Sequence, residues 1–370
     1  MIIFNFKYNK RMKKYVWKLS LFLVAVLSLG ACSNDDDVTK QITDSNATST
    51  TNYNYAYIVN NGNWNANNGA IMSLNMANKS WITADIYKAS NGKGIGDAQD
   101  AIIAGNKLFV TSTTADKIEI LDLNGKIIKT VPMKNRSPRY IIADGNAIYF
   151  TAYSGYVYKM NTENYDVKDS VQVGDHPEAL AVANGKIYVA NSGYGTGNTI
   201  SVIDEGAFKK AKDITVETDP YNQMIAVGSK VFFISDMDFT DNKLQVIDAT
   251  TDKVTTVASA SSIAYDPLSS SMVCIFNAYS STKPKPAYFR YDISTGKISQ
   301  FTGADIAKVT DPGQISVDPS TGQIYVVDNE NYSAPCSIYV FDKNGNKLRT
   351  LTNVGYGTEQ VLFNPNGKVD

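Results

Sequence analysis

Histidine and cysteine are scarce in this sequence, which argues against two large classes of enzyme site. Among 370 residues there is one histidine, His176, and there are three cysteines. Transition-metal sites are usually built from several His and Cys ligands, so such a site is not expected here. A Ser-His-Asp nucleophile would have to use His176, whose His-Pro context more simply opens a strand. We therefore expect a protein that is not an enzyme.

The sequence also lacks a strong net charge and a long apolar run. Its formal net charge is -1, and no basic run occurs beyond the N-terminal segment, so binding to nucleic acid is disfavoured. The apolar run Leu19–Ala31 has 13 residues, whereas a transmembrane helix needs about 20. This run is therefore expected to be a targeting segment and not a membrane span.

The cysteines and one acidic loop offer few further sites. Cys274 and Cys336 are too few for a disulfide framework, and Cys274 is most simply a buried small hydrophobe. Cys336 fits the same role, and the spacing leaves a pair between them open. The segment Asp236–Asp241 imitates the start of a calcium loop but lacks the glycine and the glutamate that such a loop needs. Calcium there is the minor alternative.

Residues 12–32 have the pattern of a secretory signal. Basic residues after Met12 precede the apolar run, and small residues precede Cys32. Residues 29–32, Leu-Gly-Ala-Cys, resemble the lipobox of bacterial lipoproteins, in which the cysteine is acylated and becomes the mature N-terminus. An ordinary secretory signal with an incidental cysteine is the alternative.

The segment after Cys32 predicts a surface tether. Three consecutive aspartates at 35–37 resemble the tag that sends lipoproteins to the outer face of the outer membrane, and a solvated charge run is the alternative. Residues 38–52 are polar and cannot bury enough apolar surface to order themselves. We therefore expect a signal peptide at 1–31 with a true start at Met12, a lipidated Cys32 with a tether to 52, and a folded domain at 53–370. The expected location is the cell surface, with a lipid anchor in the outer membrane.

A repeated unit of about 40 residues organises the remaining sequence. It contains an apolar strand, an Ile-Tyr-Val strand, an Ile-x-Val-Ile-Asp strand and a Lys-rich strand, and it is clearest over 176–216. The first strands are spaced by 40, 39, 43, 42 and 50 residues, and they begin near Asp97, Ser137, His176, Asp219, Ser261 and Asp311. Units of four short strands at this period are typical of a β-propeller.

Fragments at the two ends of the repeats complete one further unit. Residues 55–60, 70–75 and 80–86 match second, third and fourth strands, and residues 357–363 match a first strand. Joining them closes the ring and pairs edges that would otherwise be exposed. The sequence therefore predicts an all-β, seven-bladed β-propeller with four antiparallel strands per blade, whose C-terminal strand completes the N-terminal blade.

One face of this propeller is the expected binding site. Loops between second and third strands, and loops between blades, emerge there beside the central channel. They are rich in aromatic, amide and hydroxyl side chains, which favours a large, flat, amide-rich ligand, whereas Tyr and Asn that merely fill turns are the alternative. The candidate ligand-binding residues are Trp64, Arg139, Tyr140, Tyr153, His176, Glu178, Tyr194, Tyr221, Tyr279 and Tyr332.

Several segments spread along the repeats carry a resemblance to a known family. They are Val59–Trp64 with Asn67 and Asn68, Lys88–Asp97, Ser137–Tyr140, His176–Glu178 with Val189–Gly193, and Asn198–Asp204. Over residues 53–363 the chain resembles the YncE-like propellers and, more narrowly, the BtuG-like surface lipoproteins. The resemblance implies capture of cobalamin (vitamin B12) or another corrinoid, and its transfer to a BtuB-type TonB-dependent transporter. No cofactor apart from this ligand is expected.

Two other functions remain open from the sequence. The same face suits a surface propeller that binds another small ligand, a glycan or a protein as an adhesion module. A lactonase-like or lyase-like propeller enzyme would need His176 or a carboxylate pair at the channel mouth. Fold alone does not decide among these functions.

Overall fold

The computed structural model describes residues 55–63, 66–75, 84–237, 240–278 and 285–365. The predicted signal peptide, the lipidated Cys32 and the predicted tether lie outside these residues, as do Trp64 and Tyr279. Within the described ranges, no helix is long and apolar enough to cross a membrane.

The described residues form seven antiparallel sheets, each of which is one blade. Blade 1 begins with β1 (Ala56–Asn60) and β2 (Ala70–Leu74). The next three blades are β3 (Asp100–Ala104), β4 (Lys107–Ser112), β5 (Lys117–Asp122) and β6 (Ile127–Pro132); β7 (Pro138–Asp144), β8 (Ala147–Ala152), β9 (Tyr156–Asn161) and β10 (Val167–Gln172); and β11 (Pro177–Ala183), β12 (Lys186–Asn191), β13 (Thr199–Asp204) and β14 (Lys209–Thr215).

The last three blades follow the same plan. They are β15 (Pro220–Val227), β16 (Lys230–Met237), β17 (Asp241–Asp248) and β18 (Lys253–Ser259); β19 (Ser262–Asp266), β20 (Ser271–Phe276), β21 (Ala287–Asp292) and β22 (Ile298–Gln300); and β23 (Pro312–Val317), β24 (Ile324–Asp328), β25 (Ser337–Phe341) and β26 (Lys347–Leu351). Finally, β27 (Thr358–Phe363) returns to blade 1, where β1 lies between β2 and β27. This arrangement confirms the predicted seven-bladed fold and its closure by the C-terminal strand.

The predicted fourth strand of blade 1, residues 80–86, is only partly a strand where it is described. Asp85 forms an isolated antiparallel bridge with Met72. A short helix, α1 (Ile86–Asn91), follows directly, and its C-cap residue, Gly92, adopts a left-handed conformation. The Asp85 side chain accepts a hydrogen bond from the Lys88 amide at 3.0 Å, so this N-cap favours helix over strand at Ile86.

Apolar side chains pack between neighbouring blades and form the core. Tyr188 and Ile200 of blade 4, for example, pack with Val231 and Phe233 of blade 5. This packing uses both faces of each sheet and explains why the second strands are apolar along their whole length. Strands of this kind fix the ring, and the loops carry the variable chemistry.

Cys274 and Cys336 are both free and buried. Cys274 belongs to the core between blades 5 and 6, whereas Cys336 belongs to the core between blades 7 and 1. The two cysteines therefore act as small apolar side chains in separate parts of the core, and burial raises the pKa of the Cys274 thiol.

Candidate functional site

Two kinds of loop lie side by side on one face of the ring. In four blades, an amide at or just beyond the end of the second strand donates a hydrogen bond to a carbonyl in the loop that enters the blade. These bonds are Tyr153 to Ser137 at 3.1 Å, Gly193 to Asp175 at 3.0 Å, Asp236 to Asp219 at 2.8 Å and Asn329 to Asp311 at 3.0 Å. The main chain therefore holds the two kinds of loop together, as the propeller prediction requires.

The entry to three consecutive blades has an unusual backbone conformation. Ser137, His176 and Asp219 have φ angles of 50°, 42° and 60°, and each precedes a proline that begins the innermost strand. The residue after each proline is Arg139, Glu178 or Tyr221 in turn. This shared repeat position brings side chains from neighbouring blades together around the channel.

Arg139 is the centre of a buried polar network at this level. Its Nε and Nη2 donate to Oε2 of Glu178 at 3.1 and 2.7 Å, and its Nη1 donates to Oε1 of Gln99. The second Glu178 oxygen accepts a hydrogen bond from the Tyr153 hydroxyl at 2.5 Å. The Arg139 guanidinium also lies 4.7 Å from the centre of the Tyr153 ring. The network therefore joins blades 2, 3 and 4.

The electrostatic environment keeps Arg139 charged. Burial by itself would lower the pKa of Arg139, but the adjacent Glu178 carboxylate holds that pKa above its ordinary value. Burial, together with the negative charge of Glu178, raises the pKa of Tyr140 and of Tyr153. The charges of Arg139 and Glu178 thus neutralise each other. Tyr140 and Tyr153 stay protonated, so their hydroxyls remain hydrogen-bond donors.

Side chains cross the channel near this network. The Tyr140 hydroxyl of blade 3 donates to Oδ1 of Asn222 in blade 5 at 2.8 Å, so this bond passes over the inner strand of blade 4. Tyr221 is partly buried beside them, and burial raises its pKa. These contacts link blades 3 and 5 beside the Arg139–Glu178 pair.

Two further carboxylates lie near the same level. Asp100 accepts hydrogen bonds from the Ile141 amide at 2.9 Å and from Nε2 of Gln360 at 2.7 Å. Burial raises the pKa of Asp100 to about 7 and that of Glu359 to about 6. Both residues are partly buried and keep some contact with solvent.

Three aromatic rings form a cluster directly beside the network. The rings of His176 and Tyr194 lie 3.8 Å apart, centre to centre, at an angle of 38°. The Tyr153 ring lies 5.0 Å from His176 and 5.2 Å from Tyr194. Tyr194 is 53% exposed, so the cluster presents aromatic surface to solvent while Tyr153 connects it to the Arg139–Glu178 pair. We refer to Tyr153, His176 and Tyr194 as the aromatic cluster.

Seven of the ten predicted ligand-binding residues thus lie in one connected region. They are Arg139, Tyr140, Tyr153, His176, Glu178, Tyr194 and Tyr221. Tyr332 lies apart from them in blade 7, where it is 76% exposed and its hydroxyl accepts a hydrogen bond from Nδ2 of Asn329 at 3.2 Å. Trp64 and Tyr279 lie outside the described residues.

Asp100, Asn222 and Glu359 belong to this region, but they are not among the residues that the sequence singles out. Asp100 and Glu359 lie in segments whose pattern predicts ordinary strands, so nothing in that pattern marks them as site residues. A signal was present for Glu359, because it follows the start of its innermost strand at the same repeat position as Arg139 and Glu178. Aligning that position across all blades would have identified it.

Known structures of low sequence identity share the fold. A putative 6-phosphogluconolactonase from Bacteroides fragilis is 12% identical with a TM-score of 0.60, covering 86% of this chain and 99% of that chain. A quinonprotein alcohol dehydrogenase-like protein from Bacteroides thetaiotaomicron is 12% identical with a TM-score of 0.59, covering 84% of this chain and 78% of that one. Hydrazine synthase from Kuenenia stuttgartiensis is 17% identical with a TM-score of 0.61, covering 73% and 90%. At these identities the likeness concerns the fold alone.

Sequence comparison identifies the family. No curated protein matches the sequence. The family described as "Domain of unknown function (DUF5074)" matches residues 54–357, which span blade 1 through the approach to β27. Because this match covers most of the chain and nearly the whole propeller, the protein belongs to the DUF5074 family.

Proposed function

We propose that this protein is a surface-exposed outer-membrane lipoprotein that captures cobalamin or a related corrinoid and delivers it to a TonB-dependent transporter. The N-terminal signal and lipobox pattern around Cys32 supports the location. The resemblance of the repeat segments to BtuG-like propellers supports the ligand. In this proposal the protein binds its ligand and releases it chemically unchanged.

The observation that carries the proposal is the partly exposed aromatic cluster. A corrinoid has a broad, nearly planar macrocycle with apolar surface and a rim of amide groups. Tyr194 and His176 offer rigid aromatic contact area with polar atoms at its edge, a combination suited to such a ligand. Asn61 and Asn63, in the loop that follows β1, add amides on the same face.

The charge below the cluster also fits an uncharged ligand. Glu178 neutralises Arg139 at 2.7 Å, and Tyr153 satisfies the second carboxylate oxygen. The charges of Arg139 and Glu178 are therefore already paired before any ligand binds. A ligand bound above them needs no phosphate or carboxylate group of its own.

Calorimetric titration with cyanocobalamin tests this proposal. We expect saturable binding with recovery of unchanged cobalamin, and Tyr194→Ala should weaken it by about 2 kcal/mol, or roughly 30-fold, as for a central aromatic contact. Tyr194 is half-exposed, so this variant should keep the thermal unfolding midpoint of the wild type.

The matched control is Leu268→Ala. Leu268 is 62% exposed, and it lies in the turn between β19 and β20 on the opposite face. This substitution should leave binding unchanged. Absence of heat and of competition with both cyanocobalamin and cobinamide would refute the proposal, and a glycan or protein ligand would then become the better candidate.

A further inference from the structure

His176 occupies a position that nothing in the fold explains fully. It is the only histidine in the sequence, and it enters blade 4 where the corresponding residues of blades 3 and 5 are Ser137 and Asp219. The Ser137 hydroxyl donates to Oδ1 of Asp116 at 3.4 Å, and Oδ1 of Asp219 accepts a hydrogen bond from the Ser192 hydroxyl at 2.5 Å. The His176 imidazole, in contrast, makes no hydrogen bond to a described residue. Histidine is one of several residue types found with a left-handed backbone, so this conformation permits a histidine here but does not require one.

The surroundings of His176 hold its ring in one orientation. Tyr194 lies against one face of the ring at 3.8 Å, and Tyr153 approaches it at an angle of 63°. The side chain is 25% exposed, so the ring is held by its neighbours without being enclosed. Such packing limits the rotamers of the imidazole before a ligand arrives.

The two ring nitrogens of His176 have different environments. Nδ1 is buried, and it lies 2.8 Å from Oδ1 of Asp175 but outside hydrogen-bond geometry. A small rotation of the imidazole converts this approach into an N–H···O bond from Nδ1. Nε2, in contrast, makes no hydrogen bond to any residue that the structure describes, and it is not among the buried atoms without a partner, so this nitrogen is accessible to solvent.

A carboxylate beside one imidazole nitrogen is the usual arrangement when the other nitrogen binds a metal. The carboxylate fixes the tautomer, orients the ring and makes the second nitrogen a better donor. Within the described residues, however, no group of three or more His, Cys, Asp or Glu side chains could hold a metal ion. A single imidazole of this kind suits a metal that arrives already held by its own macrocycle.

We propose that Nε2 of His176 coordinates the cobalt of the bound corrinoid. This inference rests on the proposed function, since it concerns the same site and the same ligand class. The step is a ligand substitution: the lone pair of Nε2 forms the cobalt–nitrogen bond, the cobalt–water bond breaks, and water leaves. Cobalt keeps its oxidation state, and no oxidant or reductant is needed. The macrocycle then lies across the edges of the His176 and Tyr194 rings.

Absorption spectroscopy with two cobalamins tests the inference. Aquocobalamin carries an exchangeable water on cobalt, whereas the cyanide of cyanocobalamin resists replacement by imidazole. Wild-type protein should shift the cobalt-dependent bands of aquocobalamin to longer wavelength and leave those of cyanocobalamin unchanged. His176→Asn, which accepts a left-handed backbone and lacks imidazole, should bind aquocobalamin without the shift.

The outcomes separate this inference from the proposed function. Binding of aquocobalamin to the wild type without a spectral shift, or a shift that persists in His176→Asn, overturns the role of His176 and leaves corrinoid capture standing. Failure of both cobalamins to bind overturns corrinoid capture and with it the role of His176.

If His176→Asn does not fold, a second measurement on the wild-type protein tests the same inference. Cyanide added to the wild-type complex should displace imidazole and return the cyanocobalamin spectrum while the ligand stays bound. The cyanide is added at one equivalent, because an excess forms dicyanocobalamin, whose bands are themselves shifted. An imidazole-type spectrum that survives one equivalent of cyanide contradicts coordination by His176.

Discussion

At the scale of single residues, the site depends on how buried charges are compensated. Arg139 is 8% exposed, and its guanidinium is satisfied by Glu178 and Gln99. A buried ion pair of this kind contributes little net stability, but loss of one partner leaves an uncompensated charge. We interpret the pair as a support that fixes Tyr153, and through Tyr153 the aromatic cluster, in one position.

Glu359 gives a pH dependence that can be measured. Burial raises its pKa from 4.5 to about 6, so between these values the folded protein binds more protons than the unfolded chain. The free energy of unfolding must therefore fall as pH rises through this window, and Asp100, with a pKa near 7, extends the fall upward. Glu359→Gln should remove the fall in the free energy of unfolding between pH 4.5 and about 6. Above pH 7, this variant should be more stable than the wild type by up to about 2 kcal/mol.

Urea unfolding at several pH values checks this prediction. At pH 4 the variant and the wild type should differ little in stability, because Glu359 is mostly protonated in both the folded and the unfolded state. Glu163→Gln is the control, since Glu163 is exposed. Equal pH profiles for wild type and Glu359→Gln would contradict the prediction.

At the scale of elements, the loop that enters blade 4 is held by a side chain of β12. Asn191 accepts a hydrogen bond from the Gly174 amide at 3.0 Å and donates to Thr199 and Ser201, both at 3.0 Å. Gly174 precedes His176 by two residues, so this bond fixes the position of the aromatic cluster relative to the blade.

Gly174→Ala tests this connection. A Cβ at Gly174 would lie 2.5 Å from Cγ of Asn191, so the loop or the amide must move. We expect a loss of stability of about 1–3 kcal/mol, as for other overpacked sites, together with weaker cobalamin binding. Gly206→Ala is the matched control, because its Cβ would meet its nearest neighbour, Oδ1 of Asp204, at 3.5 Å. Thermal unfolding and calorimetry report the two effects, and unchanged values for Gly174→Ala would rule the connection out.

The sequence predicts the elements more completely than it predicts the contacts between them. The segments 55–60 and 70–75, predicted as second and third strands, contain β1 (Ala56–Asn60) and β2 (Ala70–Leu74), because both have the apolar pattern of a strand. The Arg139–Glu178 ion pair could not be predicted from a local sequence pattern, since the two residues are 39 positions apart and meet only when two blades pack together. The helix α1 was missed because its Asp85 cap follows a segment with the apolar pattern of a strand.

At the scale of the whole molecule, stability depends on the closure of blade 1. β27 pairs with β1 from Ala56 opposite Phe363 to Asn60 opposite Thr358, and its Val361 is buried in the core between blades 7 and 1. Without β27, one edge of β1 loses its partner, and the ring has a gap beside the channel.

Deletion of residues 358–370 tests this dependence. The shortened protein should unfold at a lower temperature, and it should self-associate through the open edge of β1. Thermal unfolding and size-exclusion chromatography measure the two effects. A peptide of residues 354–365 added in trans should restore part of the lost stability, and a shortened monomer with the full-length midpoint would disprove the dependence.

The pairing of β1 with β27 also determines when folding can finish. Roughly 300 residues separate the two strands in sequence, and contacts of such separation form slowly. During synthesis, the other blades can emerge and pair internally before β27 is available to pair with β1. One edge of β1 therefore stays open during synthesis until residues 358–363 have been made.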